Sequence, residues 1–387
     1  MRHATIMAGG AGTRLWPMSR GGRPKQLLRL ITRPGEKSPV SLLSLAANRL
    51  DGLIDPKRRS ICTSESYRAI IREDLPEFSD AQILGEPIGR DTVNAVGFAA
   101  AVLEKQDPDA IFAVLTADHV IAPENVFRDR MDLAFRLVEN DPRRFVTFAI
   151  KPTHPATGFG YVERGSPIRD AKKGKHAAIN GETEHAYYVA RFVEKPDKPR
   201  AEAYVKSGDF GWNSGMFVWK ASTFLEALKE FKPESHAGLM KIQAAWGTKK
   251  QKSVLEEIYP TLPKISVDYA VMEPAAKMAL SAGKPEDARF AVCTVQTDVS
   301  WLDVGSWPSF AQTLTPDAAG NRTAGEGQSL VVQGKNNLVV SAKGHLVAVL
   351  GAEDLVVVHT PDATLVMPRA KAEELKVLHA MLGEGMR

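Results

Sequence analysis

Eight consecutive residues, AIFAVLTA at 110–117, contain nothing more polar than one threonine. A strand without polar alternation has to be covered on both faces, which places it inside a sheet flanked by helices. Residues 3–8, 59–63 and 144–150 read as further strands. Between them, SLLSLAANRLDGLI (41–54) sets Leu42, Leu43, Leu45, Ala46, Leu50 and Leu53 on a helical stripe. Ser64 is suited to N-cap a helix holding Tyr67, Ile70, Ile71 and Leu75. TVNAVGFAAAVLEK (92–105) is apolar nearly throughout, as a buried helix would be, and Pro123 opens ENVFRDRMDLAFRLVEN. This strand–helix alternation predicts an α/β fold built on a doubly wound, mainly parallel sheet. Ligands of such sheets sit beyond the carboxyl ends of the strands.

The first strand runs into MAGGAGTRLWPMSRGGRPKQLL (7–28). Gly9, Gly10 and Gly12 leave backbone N–H groups open to an anion, because no Cβ stands in the way. No G-x-x-x-x-G-K-[ST] occurs, and Leu15 stands where a dinucleotide-binding turn wants its third glycine. What remains is a loop able to wrap a triphosphate, with Thr13 in the turn, Arg14 as a bidentate fork and Lys25 as a point charge. Each charge-assisted contact would contribute roughly 1.5–3 kcal/mol. A tight turn with two surface cations is the plain alternative.

The formal charge of +4 on 387 residues does not mark a nucleic-acid binder. No apolar run approaches the ~20 residues of a membrane span, and Met1-Arg2-His3 leads directly into a strand without a secretory h-region. The cytoplasm is the expected location. Cys62 and Cys293 sit in strand-like runs and are expected as buried free thiols, with no zinc or disulfide spacing.

Past residue 150, Gly158 to Val162 and Ala190 to Glu194 look like paired strands. The polar segment between them is read as a loop, its Lys172-Lys173-Gly174-Lys175 cluster as a solvated run. Helices are expected near 222–231, 234–246 and 251–258, and a strand at 290–295. PDAAGNRTAGEGQ (316–328) reads as a linker, dividing a domain at 1–315 from a small β-rich unit at 329–387. In that unit Leu330, Leu338, Leu346, Leu355 and Leu365 recur at strand-like intervals, which suggests a small stacked β-unit closed by a helix at 370–382. It carries no reactive constellation and is read as structural or as an assembly surface.

GGAGTRLWPMSRGGRPKQ resembles the signature of the nucleotide-sugar pyrophosphorylases, and its Leu-Trp-Pro and Pro-Lys-Gln details resemble their mannose-1-phosphate guanylyltransferase branch. GEPIGRDT (85–92), LTADH (115–119), GFGYV (158–162), FVEKP (192–196), WNSGMF (212–217), SVDYAVME (266–273) and WLDVGSW (301–307) follow in the matching order. The resemblance implies a Rossmann-like nucleotidyltransferase fold with a short β-helix-like C-terminal unit. It also implies transfer of GMP from GTP to mannose 1-phosphate. Asp118, at a strand's carboxyl end, and Asp303, in a turn before a helix, are by resemblance the carboxylates that hold Mg2+; each could equally cap a turn. His119 is read as a neighbour and not a ligand. By resemblance Lys195 contacts the sugar phosphate, and Glu194, Asn213 and the backbone at Gly158 contact sugar hydroxyls; a Glu-Lys pair can equally be a surface ion pair. Trp212, Trp301 and Trp307 are expected as wall and core.

For the base, guanine's N1–H and N2–H2 need acceptors, and Glu86 is the candidate, with backbone carbonyls near Gly9 or Arg90. The segment Arg90-Asp91-Thr92-Val93-Asn94-Ala95 departs from the family's usual Arg-Asn-Thr-Ala-Pro-Ala at Asp91 and Asn94. Some relatives carry a fused isomerase domain with metal-binding histidines. The last fifty residues here hold only His345, His359 and His379, so isomerase activity is not expected. A homodimer through the C-terminal unit follows from the family alone. The same chemistry on another base or sugar, a silent nucleotide-sugar-binding paralogue, and a nicotinamide-dependent dehydrogenase are the rival readings.

Overall fold

The structure is a computed structural model. It describes all residues except Ala11, Pro34, Glu36, Lys37, 169–184 and Arg387, so the lysine cluster at 172–175 lies outside the described residues. In chain order the strands are β1 Arg2–Met7, β2 Arg29–Ile31, β3 Val40–Ser41, β4 Arg59–Ser64, β5 Ile83–Glu86, β6 Ile111–Thr116, β7 His119–Ala122, β8 Arg144–Ile150, β9 Tyr161–Pro167, β10 Ala186–Val193, β11 Phe210–Lys220, β12 Ala291–Thr297 and β13 Ser300–Asp303. Six more form the C-terminal unit: β14 Arg322–Ala324, β15 Gln328–Val332, β16 Leu338–Val340, β17 Leu346–Leu350, β18 Leu355–Thr360 and β19 Ala363–Pro368.

Nine strands make the central sheet, in the order β5-β4-β1-β6-β11-β8-β12-β10-β9. β5, β4, β1 and β6 pair in parallel, as do β8 and β12, while β11, β10 and β9 pair antiparallel with their neighbours. The sheet is mainly parallel but mixed. The apolar run that begins in β6 shows why both faces must be covered. Phe112 and Val114 join one core with Phe98, Phe224 and Leu239, on helices Asp91–Gln106, Ala221–Phe231 and Pro233–Ala245. Ala113 and Leu115 join the opposite core with Leu43, Phe127 and Phe135, on helices Leu42–Asn48 and Glu124–Asn140. Alternate side chains of one strand thus feed two cores. Cys62 and Cys293 are buried and form no disulfide.

Two local expectations are corrected. Ser64 precedes a short 3-10 turn, Glu65–Tyr67, before the helix Arg68–Asp74; its hydroxyl pairs with Ser66 Oγ (2.9 Å) and caps no backbone N–H. The stretch 41–54 is α-helical only to Asn48, opened by the Ser41 hydroxyl accepting from Ser44 N–H (3.1 Å).

In the C-terminal unit β14, β16 and β18 stack in parallel, as do β15 and β17, and β19 folds back antiparallel on β18. Each rung therefore uses two strands, which is why the leucines recur at half-rung intervals. Leu338 faces the core, whereas Leu330 and Leu346 are exposed on the second sheet. The stretch read as a linker is corrected too, because Arg322–Ala324 is the first strand of the stack. Its asparagine belongs to the stack as well: Asn321 Oδ1 accepts from Asn337 N–H (3.0 Å), and Asn337 Oδ1 accepts from Leu355 N–H (3.0 Å). Turn-forming residues here close tight corners; they do not loosen the chain. The expected closing helix is a 3-10 segment, Arg369–Glu374, followed by the helix Leu375–Met381. This unit is not a separate body. Leu338, Val356, Leu365 and Leu375 share one core with Leu15, Trp16, Trp307 and Phe310.

Candidate active site

The glycine turn follows β1. Gly10 and Gly12 have φ of 93° and 67°, values that favour glycine. A Cβ on Gly12 would stand 2.5 Å from Lys25 Cβ, so glycine there lets the Lys25 stem pass. A Cβ on Gly9 or Gly10 would meet no described atom within 4 Å, which leaves that side open. The turn tightens into a 3-10 segment, Thr13–Leu15, with Ser19 Oγ donating to Gly12 O (2.6 Å). Leu15 is fully buried: where a dinucleotide turn needs glycine, this chain drives a core anchor. Both cations of the turn are engaged. Arg14 Nη1 donates to both carboxylate oxygens of Glu373 (2.7 and 2.9 Å), and Lys25 Nζ lies 2.6 Å from Asp118 Oδ2.

Asp118 and Asp303 are brought together by a two-stranded ribbon. β7 and β13 pair antiparallel with Asp303 opposite His119, and Val304 N–H donates to Asp118 O (3.0 Å). Asp303 is the last residue of β13, where the sequence suggested a turn, and the helix Trp307–Ala311 follows. One ligand atom each from Asp118, His119 and Asp303 lie within 4.8 Å of one another. Asp303 Oδ1 is buried with no hydrogen-bond partner among the described residues. Burial opposes charge on Asp118, but the Lys25 ammonium outweighs it and holds the carboxyl below its ordinary value. The orphaned oxygen and the lysine ammonium already seated on the other carboxylate fit a site made for a cation.

On the adjacent side, Glu194 pairs with Lys195 Nζ (2.8 Å); the glutamate side chain is 6% exposed and the lysine side chain 54%, so the pair opens to the surface with its carboxylate turned inward. Lys195 has φ 46°, in the left-handed region. A Cβ on Gly160 would meet Glu194 Oε2 at 2.5 Å, so glycine makes room for that carboxylate. Asn213 accepts from Thr147 Oγ1 (2.8 Å) and donates to Asp268 Oδ1 (2.8 Å). Burial, and then the charge of Glu194, push the Asp268 carboxyl up to about 7. The sequence does not single out Asp268 or Thr147; the only signal was Asp268's place inside SVDYAVME. Gly158 is exposed nearby in sequence, on the segment leading to β9.

At the carboxyl end of β5, Glu86 is buried. It accepts from Tyr259 OH (2.6 Å) and from the Arg90 backbone, and burial pushes its carboxyl up to about 7. Arg90 donates to Pro260 O. The two departures in this segment have structural reasons. Asp91 has φ 64°, a conformation that Asp and Asn share, and its carboxylate accepts from Thr92 N–H (2.8 Å). Asn94 is buried and its amide ties Arg90 O (3.0 Å) to Pro263 O (2.6 Å), a cross-link proline could not make. Trp212 and Trp307 are buried, and Trp301 packs edge-on against His119 and Phe159, so all three serve as wall and core.

The nucleotidyl transferase family matches residues 3–319, and the MannoseP isomerase/GMP-like beta-helix domain matches 327–380. The chain is 37% identical over 385 residues to mannose-1-phosphate guanylyltransferase of Klebsiella pneumoniae, covering 99% of this chain and 74% of that one. It is 36% identical to mannose-1-phosphate guanylyltransferase of Escherichia coli at the same coverage. A crystal structure from Thermus thermophilus, described as mannose-1-phosphate geranyltransferase, superposes with a TM-score of 0.78 at 30% identity, covering 97% of this chain and 98% of that one. The match over residues 3–319 makes this chain a member of the nucleotidyl transferase family.

Proposed function

We propose that the chain transfers GMP from GTP to mannose 1-phosphate, giving GDP-mannose and pyrophosphate. The observation that carries this reading is the order of polar groups along one sheet. The glycine turn follows β1, Asp118 follows its neighbour β6, and Asn213 lies on the next strand, β11. A triphosphate half-site and a sugar half-site then flank one acidic pair. An oxygen of the sugar phosphate attacks the α-phosphorus in line; the bond from that phosphorus to the bridging oxygen breaks, and its electron pair leaves with pyrophosphate. The attacking monoester is already anionic, so a general base is not essential.

The backbone of Gly9, Gly10, Gly12 and Thr13 cradles the phosphates. Arg14 and Lys25 exchange their carboxylate partners for the leaving pyrophosphate. Lys195 orients the nucleophile, Glu194, Asn213 and the Gly158 backbone hold sugar hydroxyls, and Glu86, Arg90 and Asp91 serve the base. Asp118 and Asp303 would hold Mg2+, which supplies neutralising charge to the phosphates when bound. The reaction is assigned to the cytoplasm, consistent with no helix among the described residues being long and apolar enough to cross a membrane. The outward residues Leu330, Val332, Leu346 and Leu350 support a homodimer through the C-terminal unit.

The test is a grid of nucleoside triphosphates against sugar 1-phosphates, read as pyrophosphate release. GTP with mannose 1-phosphate is expected to give the highest kcat/KM. A higher value for another pair overturns the specificity, and no release from any pair overturns the reaction. Lys195→Ala is expected to raise KM for the sugar phosphate more than for GTP; the reverse would swap the two phosphate sites.

A further inference from the structure

Three potential ligands cluster at the acidic ribbon, but the imidazole among them is turned away from that role. Trp301 Nε1 lies 3.1 Å from His119 Nδ1, and an indole N–H can only donate. Nδ1 must therefore offer its lone pair to Trp301, with Thr116 Oγ1 also within hydrogen-bond reach of the same nitrogen. The ring's proton then sits on Nε2. Neither nitrogen has a lone pair left for a cation. The N–H at Nε2 faces Asp118 Oδ1 at 3.7 Å, too long for a hydrogen bond in this state, while Lys25 holds Oδ2.

The arrangement is fixed from several sides. β7–β13 pairing sets His119 opposite Asp303, and Trp301 lies two residues before Asp303 on the same strand, so both project from one face. The ring stands edge-on to the Trp301 indole, centroids 4.8 Å apart at 73°. The backbone carbonyl of His119 accepts from Arg49 Nη2 (2.6 Å).

We infer that Trp301 locks His119 in the tautomer whose Nε2–H faces Asp118, keeping nitrogen out of the cation's coordination shell. Protein ligands from Asp118 and Asp303 alone make an all-oxygen set, the kind that suits Mg2+ and Mn2+; an added imidazole would favour Zn2+ and Ni2+. Trp301 is then a determinant of which ion the site accepts. The inference rests on the reading of Asp118 and Asp303 as the metal carboxylates.

Three measurements test it apart from turnover. Long-range 1H–15N spectra of histidine-labelled, metal-free protein, with His119 assigned by its loss in His119→Gln, are expected to show the Nε2–H tautomer. An Nδ1–H signal overturns the inference. Zn2+ affinity, read by competition with a chelating dye, is expected to tighten at least tenfold in Trp301→Phe and to return to the wild-type value when His119→Gln is added. Equal Zn2+ affinity in wild type and Trp301→Phe, with near-wild-type circular dichroism, overturns it too. Mn2+ binding in the presence of GTP, followed by electron paramagnetic resonance, is expected to fall in Asp303→Asn. Unchanged binding there removes the metal reading and the inference with it, and the tautomer spectrum tells that failure from the first.

Discussion

Glu86 shows how far a single buried carboxyl can set pH behaviour. Its pKa in the folded chain is about 7, above the ordinary 4.5, because burial penalises the charged form. The folded state therefore holds a proton that the unfolded state releases between those values, and stability declines as pH rises through that window. At pH 8 the loss amounts to roughly 3 kcal/mol. Glu86→Gln keeps an acceptor for Tyr259 and has no proton to lose. Its urea midpoint is expected to gain on wild type from pH 4 to pH 8; a pH-independent difference would count against the buried charge. Lys25 is the other residue with large leverage. Lys25→Ala should lower kcat/KM by about two decades, since it removes a charge contact made to the leaving group. Steady-state kinetics near the wild-type value would remove that role. Both residues were visible in the sequence as types at turn positions. What was hidden is where their charges rest: Lys25 on Asp118, and Glu86 under Tyr259. Partners so distant along the chain leave no local pattern to read.

Strands and helices with a long apolar period were legible because their periodicity directly encodes burial. β6 and the helices at 91–106 and 124–140 sit where the pattern puts them. The ribbon that builds the acidic site was not legible. β7 and β13 are four residues each and pair across most of the domain, too short for alternation to register. Asp303 consequently read as a turn residue, although it ends a strand. In the β-stack the leucine spacing revealed strands but not which face each leucine takes, since that depends on two strands sharing a rung. The ribbon makes a prediction of its own. Asp303 Oδ1 is buried without a described partner, beside Asp118. Asp303→Asn removes charge there while preserving shape. Activity at ordinary Mg2+ is expected to fall by at least about a hundredfold, as for loss of a transition-state electrostatic contact, while the urea midpoint does not fall. A fully active variant would exclude the two-carboxylate site, and a lowered midpoint would make Asp303 a structural residue.

At the scale of the whole molecule, the C-terminal stack is fastened to the turn that begins the chain. Trp16 Nε1 donates to Met386 O (2.8 Å), Arg20 Nη2 to Asp362 Oδ1 (2.9 Å), and Trp307 Nε1 to Trp16 O (2.8 Å), over a shared apolar core. Read from sequence, the stack carries nothing reactive; folded, it delivers the Glu373 carboxylate to Arg14. A triphosphate that uses Arg14 has to displace Glu373. The pair is 39% and 69% exposed, so its strength lies within the roughly 0–1 kcal/mol range of surface ion pairs. Glu373→Gln should accordingly lower KM for GTP by up to about fivefold, the equivalent of about 1 kcal/mol. KM for the sugar phosphate should not move, and the gap between variant and wild type should shrink at high salt as the wild-type pair is screened. If KM for GTP rises instead, Glu373 holds Arg14 ready for the phosphates and does not compete with them, and the stack is then part of the nucleotide site.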